Sequence, residues 1–138
     1  MITTKICQGI SDISDSYSGF IIDQWGVLHD GDKPYDGVVD CLKELKGRGK
    51  YIIILSNSGK TAEANRERLK QIGIPGTLYN DIVTSGEMTW QGLKAQSEGI
   101  FKDLGQTCYL ISRGGDRSIL EGVDIQVADD PDDADFLI

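Results

Sequence analysis

The sequence predicts an α/β fold built on a mainly parallel sheet with right-handed crossovers. Two patterns predict it. Short apolar runs alternate along the chain with stretches of helical period. The Ile-rich run Tyr51 to Leu55 is continuous rather than alternating, as suits a parallel strand covered on both faces.

The elements follow in order. Phe20-Ile21-Ile22 reads as a buried strand, ended at once by Asp23 and Gly26. Val38, Leu42 and Leu45 recur at helical spacing, with Cys41 beside them, and Gly47 and Gly49 stop that helix. After the strand at Tyr51–Leu55, Ser56-Asn57-Ser58-Gly59 makes a turn. Ala62, Arg66, Leu69 and Ile72 then share one helical face, capped by Gly73. Asp81 to Thr84 is a third strand. Thr84-Ser85-Gly86-Glu87 has the spacing of a capping box, which starts a helix running to about Ala95. Cys108–Ser112, Ile125-Gln126-Val127 and Phe136-Leu137-Ile138 are further strands, with a short helix around Ser118-Ile119-Leu120. Most of the 17 glycines fall at element ends.

The totals narrow the function. The chain has 138 residues, enough for one ordinary domain, with 39% hydrophobic and 26% charged residues. A formal net charge of -8 argues against nucleic acid as a partner, because phosphate backbones need a basic face. It still permits an anionic ligand where cations or a bound metal are placed locally. Cys7, Cys41 and Cys108 are widely spaced and form no CxxC pair, so reduced thiols in a cytoplasmic protein are expected. Met1 to Lys5 begins no long apolar run, so no leader is expected. No segment approaches about 20 apolar residues, so none is expected to span a membrane.

In open parallel sheets ligands bind beyond the carboxyl ends of the strands. Two such ends carry suitable groups: Asp23-Gln24-Trp25-Gly26 and Ser56-Asn57-Ser58-Gly59-Lys60. If the two strands are neighbours, the Asp23 carboxylate and the Ser56 hydroxyl face one site. A carboxylate can attack phosphorus, and Ser56 with the following backbone N–H groups can hold phosphate oxygens. Taken bare, Asp23 equally suits a turn before Gly26, and Ser56 and Asn57 suit a helix start.

The context of those residues decides between the readings. Phe20-Ile21-Ile22-Asp23-Gln24-Trp25-Gly26-Val27-Leu28-His29-Asp30-Gly31 resembles the first motif of the haloacid-dehalogenase-like hydrolase superfamily. Ile53-Ile54-Leu55-Ser56-Asn57-Ser58 resembles its second. Pro34-Tyr35-Asp36-Gly37 and the helix after it match the usual link. The resemblance covers essentially the whole chain. It is closest to the class with a type-2 cap inserted after the second motif, which includes 4-nitrophenylphosphatase-like and sugar- or nucleotide-phosphatase-like members. It implies residues 1–85 as the N-terminal part of a Rossmann-like core and residues 86–138 as the beginning of an α/β cap. It also implies Asp23 as the nucleophile that becomes an aspartyl phosphate, Ser56 as the phosphoryl-binding hydroxyl and Asn57 as a wall of that pocket. Mg2+ would be held by the Asp23 carboxylate and the Trp25 carbonyl.

Two departures bear on activity. The family's phosphatases carry a second Asp two residues after the nucleophile as general acid and base, and here that position is Trp25. Such help is worth about 10²–10⁴-fold, roughly 3–5 kcal/mol of barrier. The family's third-motif Lys and fourth-motif acids lie after the cap, beyond Ile138. The expectation is thus a magnesium-dependent phosphatase for a small phosphorylated metabolite. The alternative is a phosphate- or metabolite-binding regulatory module that Trp25 has deprived of turnover. The 138-residue chain alone is expected to be inert and, with apolar sheet surface open, to self-associate as a homo-oligomer.

Other motifs carry less. Gly59-Lys60-Thr61 fails as a nucleotide loop, because the position five before Gly59 is Ile54. Arg113-Gly114-Gly115 can meet an anion, though a tight turn is the simpler reading. His29, the single histidine, reads as a hydrogen-bonded loop residue more than a proton shuttle. The acidic run Ala128–Asp135 lacks the Gly and Glu of a calcium loop and reads as a solvated turn.

Overall fold

Alternation of apolar runs with helical stretches produces the expected α/β architecture. The computed structural model describes residues 6–138. The N-terminal stretch read for a leader lies outside the described residues. In chain order the elements are α1 (Ser11–Ser14), β1 (Gly19–Asp23), α2 (Val38–Gly47), β2 (Tyr51–Ser56) and α3 (Ala62–Gln71). They continue with β3 (Asp81–Thr84), α4 (Ser85–Ala95), β4 (Thr107–Tyr109), β5 (Gln126–Val127) and β6 (Phe136–Leu137). The strands form two sheets, ordered β1-β2-β3 and β5-β4-β6. The chain divides into two compact units, Met1–Ser56 with Arg66–Ile82, and Asn57–Asn65 with Val83–Ile138. No helix among the described residues is long and apolar enough to cross a membrane.

In the first unit β1 and β2 run parallel, Gly19 opposite Tyr51 and Asp23 opposite Leu55. Ile52 and Ile54 on one face of β2 are fully buried, as are Leu69 and Ile74, and Leu42 and Leu45 of α2 are nearly so. Asn80 fixes the start of β2: its N–H donates to the Ile52 carbonyl at 2.7 Å, and its Oδ1 accepts the Ile52 N–H at 2.8 Å. The opposite face is open, so β2 is not covered on both faces and β1 is not the buried strand expected from their apolar runs. Ile21, Tyr51 and Leu55 are 73%, 54% and 48% exposed.

In the second unit Thr84 caps α4, its side chain accepting the Glu87 N–H at 2.9 Å. Only half of the capping box closes, because Glu87 Oε2 accepts the Ala62 N–H at 3.0 Å instead. β4 lies between β5 and β6, parallel to both. It is shorter than the Cys108–Ser112 run, because each partner offers it only two paired residues. The acidic run is a turn, with Asp130 capping the Asp132 N–H and Asp135 Oδ2 accepting the N–H groups of Gln106 and Thr107.

Gly86 sits where a side chain has no room: a Cβ there would run into the backbone carbonyls of Gly59 and Lys60. The Gly86 N–H donates to the Ser58 carbonyl at 2.9 Å across the same approach. Gly→Ala inside a helix ordinarily stabilises by about 0.5–1 kcal/mol. Here Gly86→Ala is expected to destabilise by about 1–3 kcal/mol through overpacking. Urea unfolding checks the sign, and an unchanged or raised midpoint would refute the close approach.

Candidate active site

Parallel pairing sets the site. Because Asp23 lies opposite Leu55, the carboxyl ends of β1 and β2 meet at one end of the sheet, with Ser56 one residue further along. Asp23 is exposed and Ser56 buried. Along the pleat Asp23 shares the face of Leu55, and Ser56 turns to the face of Ile54, so the two strand ends meet while their side chains leave opposite faces, unlike the shared facing expected from the sequence. One Asp23 oxygen, Oδ1, accepts the Gln24 N–H at 2.8 Å. Asn57 is exposed and opens the second unit.

The loop after Asp23 folds upon itself. The Gly26 N–H donates to the His29 carbonyl and the Leu28 N–H to that of Gln24, both at 2.9 Å. Asp30 Oδ1 accepts the N–H groups of Asp32 and Lys33, each at 2.9 Å, and these hold its carboxyl below the usual carboxylate range. Arg68 donates to the Gly31 carbonyl at 2.5 Å. Trp25 is 66% exposed. Its ring stands edge-on to His29, centroids 5.5 Å apart, and covers Gly31, where any Cβ would collide with it.

Sequence reasoning missed the polar relay beneath this loop. Gln24 and His29 are both buried. The Gly31 N–H donates to His29 Nδ1 at 2.9 Å, so the neutral ring carries its proton on Nε2. Gln24 faces that nitrogen at 3.2 Å. With the amide carbonyl turned toward His29, Nε2–H gains an acceptor and the otherwise unpartnered Gln24 Oε1 is satisfied. Only the closeness of His29 to the motif hinted at this, since burial of a loop residue depends on how the loop folds.

Two hard oxygen donors suit a cation such as magnesium: the Asp23 carboxylate and the Trp25 carbonyl, which accepts no hydrogen bond among the described residues. The described residues hold no cluster of three or more His, Cys, Asp or Glu able to bind a metal. The donor set therefore fits part of an octahedral shell, with the remainder left to water or substrate oxygens.

The family model for haloacid dehalogenase-like hydrolase matches residues 20–126. The chain is 31% identical over 128 residues to the sugar-phosphatase AraL of Bacillus subtilis, covering 92% of this chain and 44% of that protein. It is 40% identical over 65 residues to a 4-nitrophenylphosphatase of Schizosaccharomyces pombe, covering 46% of this chain and 22% of that one. Among solved structures, a haloacid dehalogenase-like hydrolase from Brucella suis superposes with a TM-score of 0.80 at 23% identity, over 96% of this chain and 48% of that one. The chain belongs to the haloacid dehalogenase-like hydrolase family. It spans less than half the length of these curated relatives.

The His29 relay makes stability depend on pH. Burial pushes the His29 pKa below its ordinary 6.5, the Arg68 cation lowers it further, and Asp30 partly offsets them. The folded ring stays neutral where the unfolded one would take a proton. Its contribution is complete above about pH 6.5 and is lost as pH falls through the lower folded value. Asp30 remains ionised across that window. The urea midpoint should fall between about pH 7.5 and 5.5, and His29→Gln should flatten that fall. Equal slopes for the two proteins would remove His29 as its source.

Proposed function

We propose that this chain supplies the nucleophile and phosphate-holding loop of a magnesium-dependent phosphohydrolase acting on a small phosphorylated metabolite, a sugar or nucleotide phosphate. The observation that carries this is the meeting of the Asp23 and Ser56 strand ends, with an exposed Asp23 carboxylate. Asp23 attacks phosphorus, the ester P–O bond breaks, and the alkoxide leaves and takes a proton. Water then attacks the aspartyl phosphate, releasing phosphate and restoring the carboxylate. Ser56 holds a phosphoryl oxygen and Asn57 helps shape that pocket. Asp23 and the Trp25 carbonyl would hold magnesium, which supplies positive charge against the phosphoryl oxygens. Residues 1–85 serve as core and residues 86–138 as the beginning of the cap. The curated relatives named above support the phosphatase reading.

Trp25 favours a second reading. An indole two residues after the nucleophile cannot give the leaving group a proton, and its exposed ring suits ligand packing. A metabolite-binding module without turnover would keep the pocket and lose the chemistry. Trapping separates the two: a beryllofluoride adduct on Asp23 together with turnover of an activated aryl phosphate supports the enzyme. Tight binding without turnover supports the module.

In an active polypeptide carrying this chain, Asp23→Asn should abolish hydrolysis and leave the fold intact, because the amide is neither an adequate nucleophile nor an anionic ligand. Normal turnover by that variant would overturn the assignment. Ser56→Ala should cost about 10–100-fold in kcat/KM, the worth of one hydrogen bond to a charged group. The 138-residue chain itself should show little or no turnover beside any longer product of its coding sequence, and equal rates would refute that.

A further inference from the structure

Gly31 is pinned from three sides in the loop that follows Asp23. Its N–H donates to His29 Nδ1 at 2.9 Å, and the Trp25 ring covers it where any Cβ would collide. Its carbonyl accepts a hydrogen bond from Arg68 Nη2 at 2.5 Å. Its φ of +110° is a backbone that glycine takes without strain. Two of the three contacts are made by the loop itself. The third comes from 37 positions away, on α3. Gly31 and Arg68 both belong to the first unit. Because α3 follows the turn after β2, Arg68 ties the helix behind Ser56 to the loop behind Asp23.

The Gly31 carbonyl, more than any acid, holds this arginine. The nearest carboxylate oxygen, from Asp32, lies at 3.8 Å on a side chain that is almost wholly exposed, where an ion pair adds little. Two other arginines close on acids instead. Arg66, on the same helix, reaches Asp81, and Arg48 reaches Glu44, each at 2.5 Å. A guanidinium donating to a carbonyl makes a charge-assisted bond, and its flat fork loses less freedom per bond than an ammonium does. The loop's other backbone bonds, Gly26 to His29 and Leu28 to Gln24, stay inside the loop. They shape it without joining it to another element. The Arg68 bond makes that join.

We propose that Arg68 is a positioning residue that clamps the loop after Asp23 by holding the Gly31 carbonyl. The contact of Trp25 with Gly31 passes the clamp back toward the strand end, two residues from the Asp23 carboxylate. Arg68 thereby acts on the proposed nucleophile and on the Trp25 carbonyl without touching substrate. The bearing of the clamp on catalysis rests on the phosphohydrolase reading; the clamp itself does not.

Amide hydrogen exchange in the 138-residue chain, followed by NMR, tests the clamp. The N–H groups of Gly26, Leu28 and Gly31 report on the loop, and that of Ile52, bonded to Asn80 Oδ1, reports on β2. Arg68→Ala should speed exchange at the three loop amides about tenfold or more and leave Ile52 within about twofold. Alanine favours a helix at least as well as arginine, so α3 itself is not weakened by the change. Arg68→Lys should recover part of the protection, because an ammonium can still donate to the carbonyl. Arg66→Ala, which removes the neighbouring arginine of α3, should leave the loop amides unchanged. Loop exchange that stays the same in Arg68→Ala, rises equally at Ile52, or rises equally in Arg66→Ala overturns the clamp. In an active polypeptide carrying this chain, Arg68→Ala should lower kcat for an activated aryl phosphate about tenfold with KM within about threefold, and Arg68→Lys should restore part of it. An unchanged kcat beside faster loop exchange overturns the positioning role. Absence of both turnover and a beryllofluoride adduct on Asp23 in the unsubstituted protein is instead the failure of the phosphohydrolase reading, and the exchange result alone then upholds or overturns the clamp.

Discussion

Parallel pairing of β1 with β2 is the constraint on which the candidate active site depends. In a parallel pair both chains leave the sheet at the same end, so two motifs separated by a whole helix arrive side by side. Antiparallel pairing of five-residue strands would put them about 16 Å apart, at opposite ends. The pairing needs a long crossover, and α2 supplies it, burying Leu42 and Leu45 as it returns. One face of the strands then holds the core, with Ile52 and Ile54 out of solvent. The other face leaves Ile21, Tyr51 and Leu55 open, an apolar surface larger than isolated surface residues make.

A sheet delivers its loops only to a region; rigidity within the loops fixes the groups. Two different devices do this. After β1, buried side chains work from inside: His29 takes the Gly31 N–H and meets Gln24, while Trp25 lies over Gly31. After β2, Asn65 works from the start of α3, joining Ser58, Lys60 and Thr61 through one amide. Both satisfy polar groups that a buried turn would otherwise strand, and both hold their loops still.

The elements with a long apolar period were legible in the sequence: β1, α2, β2, α3, β3 and α4 lie where their patterns put them. The four-residue α1 and the single 3₁₀ turns at Gly76–Leu78 and Gly99–Phe101 were not, because one turn has no period to read. β4 was read too long for a related reason: an apolar run shows that residues are buried, while a ladder ends where the partner strands end. The strand-end positions of Asp23 and Ser56 were legible because such positions follow from local pattern. The Gln24–His29 contact and the Lys60–Asp116 ion pair were not. Each joins polar residues whose burial or neighbours exist only after folding, and polar residues leave no periodic trace.

Charge distribution sets what a strongly acidic chain presents to an approaching anion. Many of its cations are already spoken for: Lys43 by Asp40, Arg48 by Glu44 and Asp15, Arg66 by Asp81, Arg68 by Asp32, and Lys70 by Glu67. Such exposed pairs add little stability, but each cancels a positive charge locally and leaves the acidic surplus to repel anions at a distance. Screening confines that repulsion to about 8–10 Å at moderate salt. An anion that reaches a recess therefore responds to what lines it. At Asp23 the lining group is itself a carboxylate, so the phosphoryl chemistry proposed for it would need a cation there to offset the repulsion.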